Sequence, residues 1–66
     1  MNKAVFDNLR IGDLVRQKTG ANSYRVIDTY KDDNGYLIHE VIHLIKAENP
    51  VEWDLVNFKG EVISND

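Results

Sequence analysis

His39 and His43 stand four residues apart with Glu40 directly after the first, in the run His39-Glu40-Val41-Ile42-His43. This matches H-E-x-x-H, the zinc-peptidase pattern in which two imidazoles on one helix face hold the metal and the glutamate acts as general base. The chemistry requires the helix, because only there do residues i and i+4 converge. In a strand the two rings lie about 13 Å apart at roughly 3.3 Å per residue, too far to share one ion. A zinc hydrolase also needs a third ligand, for which Glu52, Asp54 and Glu61 are the acidic candidates, and walls around its substrate.

The flanking residues can be read in two ways. Leu37, Ile38, Val41, Ile42, Leu44 and Ile45 form an apolar stripe at helical spacing, opposite His39, Glu40, His43 and Lys46, and Pro50 would stop such a helix. Against this, Tyr36, Ile38, Val41, Ile42 and Ile45 are β-favouring types, and the segment follows Asn34-Gly35, a strong hairpin signal. The expectation is a strand over 36–45 with both histidines half-exposed on a sheet face. A minimal zinc protein built on His39 and His43 is the alternative.

A second chemistry is electrostatic. Arg16 and Lys18 alternate on one strand and Arg25 lies on the next, so a hairpin would project all three from one outer face, where they could grip phosphates. Overall charge opposes this. Residues 1–31 carry six basic and three acidic side chains, but residues 32–66 carry two and eight, leaving the chain at −3. Non-specific coating of nucleic acid is therefore excluded, although a local basic face remains available to RNA or DNA. No glycine-rich phosphate loop is present, and no histidine is placed beside Ser23 or Ser64 to build a nucleophile. The chain reads as non-enzymatic, with no cofactor.

These residues must be positioned by very little protein. A chain of 66 residues buries only about 60% of its unfolded surface, enough for one small core and one domain over 1–66. There is no cysteine, so neither disulfides nor thiolate metal sites contribute. No apolar run approaches the roughly 18 residues of a membrane span, and Asp7 comes too early for a secretory signal. A cytoplasmic setting is the expectation.

Along the chain, residues 1–10 carry Val5, Phe6 and Leu9 at helical spacing and predict a short helical lead-in. Strands are predicted at 13–18, 24–30, 36–45, 51–58 and 61–63, with polar or glycine turns between them. Phe6, Tyr24, Trp53 and Phe58 are the bulky residues expected to fill the core. The spacing predicts an all-β fold, a small five-stranded barrel.

Gly12-Asp13-Leu14-Val15, Lys18, Gly20 and Tyr24-x-Val26 resemble the opening of small bacterial SH3-like barrels such as the uncharacterised YodC-like family. Trp53 and Phe58 fall where such barrels often carry an aromatic pair in the fourth strand. The resemblance implies an SH3-like fold and a bacterial or phage type of protein, with no catalytic residues to transfer. By the same analogy, aromatics near the loops bind a partner, which makes Tyr30, Tyr36 and Trp53 the candidate groove for a protein. The open edges of a small barrel could also pair with a second copy, giving a homo-oligomer. The expectation is thus a protein-binding module, with a nucleic-acid binder on Arg16, Lys18 and Arg25 as runner-up.

Overall fold

In the computed structural model, which describes residues 1–64, a helix α1 (Lys3–Asp7) precedes six strands: β1 (Leu14–Gln17), β2 (Ser23–Lys31), β3 (Leu37–Val41), β4 (Ile45–Ala47), β5 (Trp53–Val56) and β6 (Val62–Ser64). They form one antiparallel sheet in the order β4-β3-β2-β1-β5-β6. The all-β expectation holds. The five-stranded barrel is not confirmed: among the described residues six strands form one open sheet. No helix among the described residues is long and apolar enough to cross a membrane.

Two hairpins turn by the same device. In the β2–β3 turn the Asp32 carboxylate accepts from the backbone N–H of Asn34 and Tyr36, each at 2.9 Å, and Gly35 takes φ +83°. In the β5–β6 turn the Asn57 side-chain oxygen accepts from Lys59 at 2.9 Å and Glu61 at 3.0 Å, and Gly60 takes φ +81°. An Asx side chain holds each turn open, and a glycine supplies the left-handed step.

The predicted strand over 36–45 is broken in two. A tight turn at Ile42–Leu44 separates β3 from β4, with His43 at φ 72° and Leu44 at φ 62°. Side chains with a Cβ rarely occupy that region, and two in a row store strain at the tip of this hairpin. A second short turn, the 3-10 turn Pro50–Glu52, leads into β5; Asn49 caps it by accepting from the Val51 N–H.

Register explains the curvature. Val26 pairs with Val41, but Asp28 pairs with Glu40, so Ile27 is an extra residue on β2. Such a bulge bends and twists its strand. It also exchanges the faces: Tyr24 and Val26 are on the core side before it, whereas Thr29, opposite His39, is on that side after it. Bent in this way, the sheet wraps a core of Val15, Val26, Val41, Ala47 and Trp53, which Met1, Phe6 and Leu9 close from the N-terminal side. A helix of five residues is too short to persist alone. The Asn2 cap on Val5 N–H at 2.8 Å helps, and burial of Phe6 and Leu9 holds it.

Two aromatic expectations need correction. Phe58 is 84% exposed, because it lies inside the Asn57-to-Gly60 turn rather than on a strand. Tyr24 is only partly buried, packed at the core's margin with its ring edge-on to Trp53 at 6.3 Å.

Trp53→Ala should cost about 3–5 kcal/mol, a large share of the roughly 3–10 kcal/mol available to a chain of this size. Phe58→Ala should change stability by no more than about 0.5 kcal/mol. Urea melts of the two variants check the pair. Replacing the tip by His43→Asn with Leu44→Gly should raise stability by about 1–2 kcal/mol in the same melts, since it supplies the residues the turn geometry prefers.

Candidate functional site

The H-E-x-x-H run is not helical. His39 and Glu40 lie on β3, and His43 lies in the left-handed turn beyond it, so the two rings do not share a helix face. This removes the geometry that the zinc alternative requires. No cluster of three or more metal-ligating side chains occurs among the described residues.

His39 is fully buried rather than half-exposed. Its Nε2 lies 2.7 Å from the Phe6 carbonyl oxygen, and its Nδ1 lies 2.9 Å from the Thr29 hydroxyl. A carbonyl can only accept, so the proton is assigned to Nε2, and Nδ1 then accepts from Thr29. The Phe6 ring stands edge-on to the imidazole at 4.5 Å between centroids. Both ring nitrogens are therefore committed to joining α1 to β2 and β3. Burial pushes the His39 pKa below the ordinary histidine value; the bond to Phe6 and the carboxylates of Asp7 and Asp13 oppose this without overcoming it. His43, by contrast, is exposed, with its ring roughly perpendicular to that of Tyr24 at 6.4 Å between centroids.

The three basic residues do not form three free cations. Arg16 and Arg25 do share the outer face of β1 and β2, as the pairing of Leu14 with Arg25 requires. Arg16, however, donates to the Gly60 carbonyl at 2.9 Å, tying β1 to the β5–β6 turn. Lys18 sits past the end of β1 and pairs with the nearly buried Asp54 at 2.6 Å. A buried carboxylate needs that partner, so the ammonium is structural before it is anything else.

The aromatic candidates are also separated. Trp53 is 2% exposed, in the core, and has no face to offer a groove. Tyr30 pairs with Ile38 on the side of the sheet away from Val41 and His39, because the bulge at Ile27 reversed its direction. Tyr36 alone meets the requirement: it is 71% exposed and forms part of the wall of a groove of about 530 Å³.

This groove lies between three elements. Lys3, Phe6 and Asp7 of α1 form one side, and Lys31, Tyr36 and Leu37 of the β2–β3 hairpin form another. Glu48 and Pro50, leading into the 3-10 turn, complete it. Tyr36, Leu37 and Pro50 are apolar members of the wall, and its charge is balanced, two lysines against two carboxylates. Sequence reasoning found Tyr36 but missed the helix side, because nothing local in residues 1–10 says which part of the sheet they cover.

No protein-family model matches the sequence, and no curated protein or solved structure shows significant similarity to it.

The state of His39 sets a pH dependence with a definite sign. The unfolded chain binds the proton at the ordinary value of about 6.5, and the folded chain binds it only at lower pH. This contribution to stability is thus complete above about pH 6.5 and declines as pH falls from there toward the folded-state value. Urea midpoints at pH 7.5 and pH 5 should show the decline.

Proposed function

We propose that this chain is a non-enzymatic interaction module that takes an extended segment of a protein partner into the groove beside Tyr36. The observation that carries the reading is Tyr36 itself, a large aromatic left 71% exposed on the wall of a preformed cleft. A tyrosine contributes a broad apolar face and a hydroxyl at little entropic cost, which is why such residues dominate binding energy at interfaces. Leu37 and Pro50 offer further apolar contact, while Lys31 and Glu48 provide a donor and an acceptor at the rim.

Charge favours a peptide over a nucleic acid. Lys3 and Lys31 are matched by Asp7 and Glu48, and Lys3 already bonds Asp7 at 2.7 Å, so the groove presents no surplus of positive charge to phosphates. On the basic face, Arg16 and Lys18 are occupied by Gly60 and Asp54.

The SH3-like fold belongs to the same proposal. The run β5-β1-β2-β3-β4, a bent β2 serving both halves of the sheet, and a 3-10 turn before β5 are consistent with that architecture, with β6 as an added edge strand. A loop-end groove beside that turn suits a binding module of this type.

The test is capture of partners from a lysate of the source organism by the parent chain and by Tyr36→Ala, each with and without nuclease. Tyr36→Ala should keep the parent's stability within about 0.5 kcal/mol, because the side chain is exposed. It should weaken binding of a nuclease-resistant protein by about 30-fold, the effect of a 2 kcal/mol hot spot, when the dissociation constant is measured by calorimetry. Equal affinity for the two chains, or recovery that vanishes with nuclease, would contradict the reading.

A further inference from the structure

Helix α1 is at once a wall of the groove and the element that covers His39. Phe6 connects the two roles: it belongs to the groove wall, its ring meets the imidazole edge-on, and its carbonyl accepts from Nε2. We propose that α1 is a detachable wall of the groove, latched to the sheet through the neutral ring of His39 and released when that ring takes up a proton.

The neutral ring suits its surroundings and the cation does not. Nε2–H points at a carbonyl and Nδ1 receives a hydroxyl, so the neutral form has every bond it can make. Protonation adds a charge at a site without solvent access. The Thr29 hydroxyl can turn to accept from the new N–H, but it brings no charge. The neighbour across β4, Ala47, brings none either. The carboxylates whose fields reach the ring are Asp7 on α1 and Asp13 just before β1. Both are already engaged, Asp7 with the Lys3 ammonium and Asp13 with the Arg10 N–H at 2.8 Å. They lessen the cost of the cation without removing it.

The least costly way to hydrate the cation is to lift what covers it. Opening the sheet would expose Val15, Val26, Val41 and Trp53 together. Lifting α1 exposes Phe6 and the margin of the core beneath it but leaves the strands paired, and the helix, five residues long, has little stability of its own to oppose the motion. The start of the chain stays tethered, because the Met1 nitrogen donates to the carbonyls of Pro50 and Trp53. Release then removes the side of the groove that carries Lys3, Phe6 and Asp7. The consequence for binding rests on the groove reading above; the release itself does not.

Amide hydrogen exchange on the full chain between pH 7.5 and 5 tests it without any partner. The reporters are the amides of Phe6, Asn8 and Leu9, bonded to Asn2, Val5 and Phe6 carbonyls, against those of Lys18 and Val26, bonded to Glu52 and Asp13 carbonyls. After correction for intrinsic rates, protection in α1 should fall by up to about tenfold per pH unit below about 6.5. It should remain well below that of the Lys18 and Val26 amides throughout, and its midpoint should follow the titration of the His39 ring. His39→Gln retains an N–H donor for the Phe6 carbonyl and cannot titrate, so its α1 protection should be flat. Three outcomes would overturn the latch: α1 protection independent of pH in the parent chain, equal protection of α1 and of the Lys18 and Val26 amides at every pH, or an unchanged pH response in His39→Gln. If His39→Gln does not fold, agreement or disagreement between the parent's ring titration and its α1 exchange decides the matter. A latch that behaves as described in a chain whose partner binding ignores Tyr36 would defeat the groove reading alone.

Discussion

The imidazole of His39 ties together three parts of the chain, α1, β2 and β3. Its Nε2 holds the Phe6 carbonyl, thirty-three residues away in sequence, and its Nδ1 holds Thr29 on the neighbouring strand. A sheet of six short strands leaves one side of its core open, and the segment from Met1 to Leu9 closes it. Burying a polar ring there is tolerable only because both nitrogens are satisfied, and satisfying them fixes where α1 must sit. The groove follows from that placement, since α1 is its third side. Fold closure and the candidate binding surface therefore share one interaction.

The second constraint is the bend in β2. One strand serves both halves of the sheet, pairing with β1 along its first residues and with β3 along its later ones. The extra residue at Ile27 lets it curve and reverses which side chains face inward. Without that reversal Thr29 would point away from His39, and Tyr30 would take its place against the core. The bulge thus supplies the hydroxyl that His39 needs and turns Tyr30 to the face away from His39.

Much of this was legible in the residues and some was not, for reasons that differ by element. Asp32 to Gly35 and Asn57 to Gly60 announce their turns because an Asx side chain and a glycine are what those backbones require. The lead-in helix was visible in the spacing of Val5, Phe6 and Leu9. The turn at His43 and Leu44 was hidden, since it uses positive φ without glycine or asparagine, and so 36–45 read as one strand. The bulge at Ile27 leaves no compositional mark, so the face on which Tyr30 lies is not legible in the sequence. Phe58 misled because aromatic residues usually belong to strands, whereas here the turn has claimed the position. His39 looked polar and exposed because both of its partners come from other elements, and pattern along the chain carries no information about them.

The central claim concerns one proton on one ring. The ¹⁵N chemical shifts of the histidine side chains at neutral pH measure it directly, read alongside nuclear Overhauser contacts from the same rings. The account predicts a neutral His39 with its proton on Nε2, a bare Nδ1, and contacts from that ring to the ring of Phe6. A proton on Nδ1, a charged ring at neutral pH, or no contact with Phe6 would contradict it.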